Sequence, residues 1–364
     1  MKQAWKELVY GKKKYILIEL LLVLLMFMVL FLSGLAEGLG RAVSSGIEDM
    51  DADYYLLDDS AEDLITVSSL NEDVPEKVKK QTTALTAPLD IQRMYLVKEG
   101  EAEKLNVTYF AIEPDSFIEP AVMDGVGLAD SDVPDPIILD DDFLLEGIAL
   151  GDTVYDSSSD IPFTVTGFAK DQMYGHVSIG FISTDTYAKI RKRLSPMYTK
   201  MYHAVAIKGD DIENIGIEGT EVISKEDIIS SIPSYTAEHL TITMIVWVLI
   251  VISAVIIGIF HYILTLQKRK QFGIMKALGM SMGRLVFLVI SEVAMLSVSA
   301  SVISLVLAFG MAGALPETMP FYLETSNAVA VVTAFVLISI FSSILSILNI
   351  SRIDPITAIG GGEE

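Results

Sequence analysis

The chain of 364 residues contains no cysteine and comparatively few bases. Without cysteine it cannot form a disulfide, a zinc–thiolate site or an iron–sulfur cluster, and it has no thiol nucleophile. It has 26 Lys and Arg against 48 Asp and Glu, which gives a net charge of −22. No basic face stands out that could neutralise phosphates, so nucleic acid is not an expected partner.

The sequence also lacks the common catalytic signatures. It contains no GxxxxGK[ST] phosphate loop, no HExxH zinc helix and no GxSxG nucleophile turn. Its four histidines are scattered along the chain. We therefore expect a protein that is not an enzyme, has no ATP site of its own and holds no intrinsic cofactor or metal.

Charge and apolar content lie in different stretches of the chain. Hydrophobic residues make up 51% of it and charged residues only 20%. Residues 37–239 hold 40 acids and 15 bases, a net of −25, whereas the other 161 residues hold 8 acids and 11 bases, a net of +3. The long apolar runs belong to the second group, so a single soluble domain is excluded.

Four apolar runs are long enough to cross a membrane. A helix rises about 1.5 Å per residue, so about 20 residues span the hydrocarbon core. The first run is longer than the apolar part of a secretory signal, which has about 7–15 residues, so we expect an uncleaved span. The predicted spans are 15–36, 240–266, 285–312 and 328–350.

Lysine and arginine near the span ends predict the orientation. Residues 1–14 contain five lysines, 267–284 contain five bases and no acid, and 313–327 contain no base. We therefore expect 1–14, 267–284 and the tail 351–364 in the cytoplasm, and 37–239 and 313–327 outside the cell membrane.

The region 37–239 is typical of an α+β domain. Runs of β-branched and aromatic residues between turn residues predict strands, and two charged segments predict short helices. The predicted strands lie within 104–113, 135–144, 151–156, 162–169, 177–184 and 202–209, and the helices within 72–81 and 185–194. The predicted fold is thus four transmembrane helices with a large extracytoplasmic α+β domain between helices 1 and 2, flanked by outward extensions of both spans.

Several motifs carry a resemblance to a known family. The segment FGIMKALGMSMGRL and the pattern ILDDDFLLEGIALGDTVYDSSSDIPFTVTGFA resemble the FtsX-like, or macrolide-exporter-like, permeases of ABC transporters, as does the tail DPITAI. Five motifs resemble, more narrowly, the heme-exporting permeases of Gram-positive bacteria. They are GLAEGLG, DQMYGHVS, PSYTAEH, TMPFYLET and DPITAIGG.

This resemblance implies a permease that exports heme or a similar amphiphile from the membrane. It implies a homodimer of this chain with two copies of a separate cytoplasmic ATPase, which binds the ATP. The segment 267–284 would contact that ATPase. Heme is therefore expected as a substrate, and membrane lipid as the surrounding partner.

Two of the motifs offer ligands for heme iron, which takes His, Tyr or Met where Cys is absent. The candidates are Met173, Tyr174, His176, Tyr235, Glu238 and His239. By resemblance, Tyr174 and Tyr235 fall at shared motif positions and are the first candidates. The alternatives are that Tyr235 anchors a span end among the headgroups and that Tyr174 packs under a loop.

The segment 267–284 has an apolar patch between charges that could dock on a cytoplasmic partner. The residues expected to contact the ATPase are Ile274, Met275, Lys276, Ala277, Leu278 and Gly279. A basic anchor that binds anionic lipid is the alternative interpretation.

Two ionisable residues, His261 and Glu292, lie within predicted spans. Both are about 10–12 Å from the cytoplasmic span ends, so we expect a polar tie between them.

Two other functions remain open at this point. An FtsX-like subunit can act as a transmitter that activates an extracellular cell-wall hydrolase. A third possibility is a permease that releases lipoprotein or glycolipid.

Overall fold

The computed structural model describes residue 7 and residues 9–316 and 319–351. Two compact units divide the chain: the helical unit, Met1–Gly38 with Leu240–Glu364, and the sheet unit, Leu39–His239. The predicted tail motif 354–359 lies outside the described residues.

The described helices follow the apolar runs and the charged segments. In chain order they are α1 (Lys12–Glu48), α2 (Val74–Gln81), α3 (Asp142–Leu145), α4 (Thr184–Leu194), α5 (Lys225–Ser231), α6 (Tyr235–Gln267), α7 (Arg269–Ala277), α8 (Met282–Ala312) and α9 (Thr325–Ser351), with a short 3₁₀ turn at Ile65–Val67.

Four of these described helices, α1, α6, α8 and α9, are long and apolar enough to cross a membrane. Each is longer than the apolar run that predicted it. For example, α1 continues to Glu48, and no proline interrupts residues 35–50. The chain is thus a multi-pass membrane protein with a large domain between its first two spans.

The helical unit has an apolar core, to which α1 contributes residues that lie on one face of the helix. Leu22, Met26 and Leu30 repeat every four residues on α1 and are almost completely buried. They belong to one cluster with Ile257 of α6 and with residues of α8 and α9. Small residues allow close approach, and the Ser304 hydroxyl on α8 donates to the Val23 carbonyl on α1 at 3.0 Å.

The described segment 319–324, which leads into α9, packs directly against two glycines of the GLAEGLG motif, Gly34 and Gly38. A Cβ at Gly38 would lie 2.3 Å from the Pro320 carbonyl oxygen, and one at Gly34 would lie 2.6 Å from Cζ of Phe321. The Tyr322 amide donates to the Gly34 carbonyl at 3.0 Å. Only glycine permits this contact, so two sequence motifs are explained by packing against each other.

Thirteen strands are assigned within the described part of the sheet unit. They are β1 (Tyr54–Asp58), β2 (Leu70–Asn71), β3 (Leu85–Lys98), β4 (Leu105–Ile112), β5 (Val122–Gly125), β6 (Pro136–Asp140), β7 (Thr153–Asp156), β8 (Pro162–Ala169), β9 (Met173–Tyr174), β10 (Val177–Ser183), β11 (Met201–Tyr202), β12 (Ala204–Lys208) and β13 (Thr220–Ser224).

Eleven of these strands form one mixed sheet: nine follow the order β13-β1-β12-β3-β4-β10-β6-β8-β5, and β9 and β7 lie off this order, with β9 paired to β10. β7 pairs with both β3 and β8, so β3, β4, β10, β6, β8 and β7 close into a barrel-like ring. The remaining strands, β11 and β2, form a separate pair.

Both faces of the central strands are buried. On β4, Val107, Tyr109 and Ala111 belong to one apolar cluster, while Phe110 and Ile112 belong to another. Successive side chains of a strand point to opposite faces, so β4 separates two cores. The second of these cores also contains Val43 and Ile47 from the end of α1.

Every strand and helix predicted over 37–239 has its counterpart, which confirms the α+β fold class. No sequence pattern predicted β3, the longest of the described strands. Pro88 lies within β3, and proline is a poor strand signal.

Candidate functional site

The motif DQMYGHVS forms a tight hairpin. Tyr174 pairs with Val177, and the two turn residues, Gly175 and His176, have φ of 58° and 61°. Positive φ at both positions is the geometry of a type I′ turn, which joins antiparallel strands without splaying them. Glycine suits the first position, whereas His176 is held there by its surroundings.

Those surroundings are the outer turns of α1. The amides of Gly175 and His176 donate to the carbonyls of Val43 and Ala42, each at 2.9 Å. The Met173 amide donates to the Ser45 hydroxyl at 2.9 Å. The hairpin is therefore fixed to α1 by its backbone.

Gly46 makes this contact possible. A Cβ there would lie 2.1 Å from Cδ1 of Ile179 and 3.2 Å from the Met173 carbonyl oxygen. A Cβ at this position would require the Ile179 side chain to move and the Met173 carbonyl to shift by a few tenths of an ångström.

Tyr174 points its ring into the sheet unit. Its ring meets that of Phe110 edge-on, with centroids 5.6 Å apart, and only 9% of the residue is exposed. Burial raises the pKa of the Tyr174 phenol to about 12, because the charged phenolate is poorly solvated there. Met173 is half-buried and contributes its backbone to the contact with α1.

The motif PSYTAEH starts the second span. α5 ends at Ser231, Ser234 has a φ of 75°, and α6 begins at Tyr235, so the two helices are interrupted around Pro233. Tyr235 stacks on His239 one turn later, with ring centroids 5.6 Å apart and an interplanar angle of 11°.

The structure brings these two motifs together within the sheet unit. Nε2 of His176 lies 3.2 Å from both carboxylate oxygens of Glu238, although 62 residues separate them. Both side chains are exposed. Tyr235 packs against the same apolar cluster that contains Tyr174. We call His176, Tyr235, Glu238 and His239, together with Tyr174 beneath them, the tyrosine–histidine cluster.

Neither tyrosine hydroxyl of this cluster makes a hydrogen bond to any residue that the structure describes. No group of three or more His, Asp or Glu side chains in the described ranges is arranged to hold a metal ion.

Most of the segment predicted as a cytoplasmic loop is helix. α7 occupies Arg269–Ala277 and ends in a Schellman motif, in which the amide of Met280 donates to the Met275 carbonyl and that of Gly279 to the Lys276 carbonyl, each at 3.0 Å. Gly279 has the φ of +87° that this motif requires.

The end of α7 exposes apolar side chains. Ile274 is 53% exposed and Leu278 is 82% exposed. Lys276, Ala277 and Gly279 are also exposed, and Met275 is half-buried. All six residues predicted to contact an ATPase thus lie on one short helix and its cap.

The predicted tie between His261 and Glu292 is wrong. Nδ1 of His261 bonds the carbonyl of Ile257 in its own helix at 2.8 Å, and its Nε2 has no partner among the described residues. Glu292 instead accepts from Nζ of Lys268, at 2.7 and 2.5 Å. A fixed cation attracts a buried carboxylate more strongly than an imidazole does, so the lysine takes its place.

Three residues that shape these sites were not among the predicted site residues: Ser45, Gly46 and Lys268. For Lys268 a signal existed, because a base directly after a span can return to a carboxylate in the neighbouring span. Ser45 and Gly46 carried no comparable signal.

The last three spans resemble a known family. Residues 243–355 match the family described as FtsX-like permease C-terminal.

Named relatives match over the whole chain. A protein of Staphylococcus haemolyticus (strain JCSC1435) named "Putative hemin transport system permease protein HrtB" is 26% identical over 367 residues, covering 100% of both chains. A protein of the same name from Staphylococcus epidermidis (strain ATCC 12228 / FDA PCI 1200) is 28% identical with the same coverage.

Among solved structures, the periplasmic region of MacB from Actinobacillus actinomycetemcomitans is similar. The match covers 53% of this chain and 97% of the MacB region, at 13% identity and a TM-score of 0.38. The extracellular domain of the transporter YknZ covers 48% and 99%, at 14% identity and a TM-score of 0.32.

Proposed function

We propose that this chain is the permease subunit of an ABC transporter that exports heme, or a similar flat amphiphile, out of the membrane. A separate ATPase would supply the work through α7 and its cap. The permease itself needs no reactive group, because ATP binding to the partner shifts the population between two states of the permease.

One observation carries the substrate assignment: the contact of His176 with Glu238. It joins the two motifs that offer heme ligands, and in one of these motifs Tyr235 and His239 stack on each other. The full-length similarity to proteins named as hemin transport permeases supports the same substrate.

The chemistry of heme fits such a site. Its ferric iron accepts a tyrosine oxygen or an imidazole nitrogen, and its porphyrin stacks on aromatic rings. Heme also partitions into lipid, so it can reach a site close to the start of a span without crossing water. The exposed His176 could instead meet a propionate of the porphyrin.

The first test removes only the hydroxyls. Tyr174→Phe and Tyr235→Phe keep both rings, so a role in packing survives in these variants. Since even supporting residues of a metal site are worth about 10–100-fold in affinity, loss of a ligand should weaken heme binding at least tenfold. Heme titration of the purified protein, followed at the Soret band, measures this.

The matched control is Tyr95→Phe, which removes an exposed hydroxyl from β3 of the same unit. It should bind heme like the parent chain and protect cells equally in toxic heme. Should the double variant at positions 174 and 235 bind heme and protect cells as the control does, the assigned ligands are wrong.

The second test addresses the coupling to an ATPase. Leu278→Asp places a charge at the most exposed apolar side chain of the α7 cap, so it should prevent docking of an apolar partner surface without affecting insertion. We expect a loss of heme-stimulated ATP hydrolysis of about tenfold or more, since truncation of a central interface residue commonly costs 2 kcal/mol or more.

Gln271→Asp, at an exposed position of the same helix, is the control. It adds the same charge outside the apolar patch and should leave the stimulation intact. A lipid anchor would respond equally to both variants, so equal losses would favour that alternative.

We further propose that two copies of the chain assemble with two ATPases. The sheet unit would lie outside the cell membrane and both chain termini would face the cytoplasm. The excess of bases near 267–284 and their absence from 313–327 support this orientation.

A further inference from the structure

The junction between α6 and α7 is a single buried base, Lys268. α6 ends at Gln267 and α7 begins at Arg269, so Lys268 is the only residue between the two helices. Its side chain is 10% exposed. A buried ammonium is costly unless it is paired, so its partners determine where this junction lies.

Three side chains from other parts of the helical unit surround the ammonium. Nζ of Lys268 lies 2.7 and 2.5 Å from the two carboxylate oxygens of Glu292 on α8, and 2.7 Å from a carboxylate oxygen of Glu7. It also lies 5.6 Å from the ring centroid of Tyr15 on α1. The base thus ties the α6–α7 junction to the third span, to the first span and to the segment before it.

A second anchor follows one turn later. Phe272, four residues after Lys268, packs against a cluster formed by Val289, Val293 and Ile347. Residues four apart share one face of a helix, so Lys268 and Phe272 both hold the inward face of α7.

The opposite side of α7 is the one that carries the exposed apolar patch. Ile274 and Leu278 are four residues apart and both exposed, and the Schellman motif fixes the end of the helix at Gly279. The inward anchors therefore determine the direction in which this patch points.

We propose that Lys268, with Glu292 and Glu7, is a positioning site that fixes α7 to the membrane spans and passes its movement to α8. The partner is the ATPase of the proposed function, on which this inference rests. Lys268 does not touch that ATPase; it acts through Ile274 and Leu278 by holding the helix that presents them.

The experiment uses the full chain with the ATPase that co-purifies with it, in lipid nanodiscs, and heme as the stimulating ligand. Lys268→Met and Glu292→Gln each remove one side of the pair. We expect each variant to lose about tenfold in the heme-stimulated kcat for ATP, a typical size for a coupling effect, with the KM for ATP unchanged because that site is on the partner.

Exchanging the charges of Lys268 and Glu292 distinguishes a positioning role of the pair from a role in folding alone. In a Glu7→Gln background, which removes the second carboxylate beside position 268, the double variant Lys268→Glu/Glu292→Lys keeps the pair and its net charge while reversing its direction, so it should recover most of the lost kcat. Lys270→Met, at an exposed position two residues later, is the matched control and should behave like the parent chain.

Three outcomes of this experiment decide whether Lys268 positions α7. Recovery by charge exchange supports the inference. Single variants that match Lys270→Met overturn it, and so do single variants with lost activity and lowered unfolding temperature that charge exchange fails to restore. If the unmodified chain brings no ATPase with it, or its ATPase does not respond to heme, the proposed function fails instead.

Discussion

The surroundings of the Asp140 carboxyl group disfavour its charged form. It is almost completely buried at the end of β6, yet its oxygens accept hydrogen bonds from the amides of Gln172 and Asp142. Burial is the larger effect and raises the pKa of Asp140 to about 8, with the neighbouring Asp141 and Asp142 adding to the rise. Through the Gln172 amide, this group therefore links protonation to the segment directly before the β9–β10 hairpin.

The raised pKa predicts a stability that falls as pH rises. The unfolded chain has an ordinary aspartate near 3.8, so between that pH and about 8 the folded state binds more protons. The free energy of unfolding should then decrease with rising pH, by up to about 1.4 kcal/mol per unit from this one group. Thermal unfolding of the full chain between pH 5 and pH 8 measures the slope.

Asp140→Asn removes the titration and keeps an oxygen that can accept from one amide. Its unfolding temperature should therefore decline less between pH 5 and pH 8 than that of the parent chain. Asp132→Asn, at an exposed position, is the control and should keep the parent slope. An unchanged slope in Asp140→Asn would show that another group dominates.

At the scale of elements, the contact of α1 with the segment before α9 depends on two glycines. Glu37 lies between these glycines, Gly34 and Gly38, in the sequence. Its carboxylate accepts a hydrogen bond from the Asn327 side chain at 3.0 Å, which ties the start of α9 to α1. Phe31 of α1 and Phe321 stack with centroids 5.4 Å apart. A backbone–backbone approach of this kind leaves no space for a methyl group.

Gly38→Ala should therefore destabilise the helical unit. The new Cβ would lie 2.3 Å from a backbone oxygen, which cannot rotate away, and overpacking of this kind costs about 1–3 kcal/mol. A lower unfolding temperature in detergent is the expected result. Gly310→Ala, in the interior of α8 with no atom within 4 Å of its added Cβ, should be neutral or stabilising. Equal behaviour of the two variants would contradict the contact.

Much of the element structure could be read from the sequence, because the signals are local. Apolar length predicts the four helices, and alternating β-branched runs predict strands such as β4, β8 and β10. The turn Gly175–His176 was visible as a motif, but its docking on α1 was not, because that depends on Ser45 and Gly46 packing against it.

The functional sites were predictable only in part, because several of their contacts join positions that are far apart in the sequence. Sequence spacing places Tyr235 and His239 on one face of a helix, and they do stack. The contact of His176 with Glu238 joins positions 62 residues apart, and that of Lys268 with Glu7 joins positions 261 apart. Such contacts follow from tertiary packing, which no local pattern contains; hence the expected partner of Glu292 was wrong.

At the scale of the whole molecule, both proposals need the same orientation in the membrane. Heme ligands near the start of α6 must lie on the side to which substrate is released, and α7 must face the compartment that contains ATP. The two ends of α6 supply both requirements, since the helix begins at Tyr235 and ends one residue before Lys268.

The absence of cysteine makes this orientation directly measurable, because each introduced thiol is the only one in the chain. Met197→Cys, Lys270→Cys and Ala314→Cys each place a thiol at an exposed position. In intact cells, a membrane-impermeant maleimide should label positions 197 and 314 and should label position 270 only after permeabilisation. Labelling of position 270 from outside would put the apolar patch of α7 beyond reach of any ATPase, and the coupling proposal and the positioning role of Lys268 would fall together.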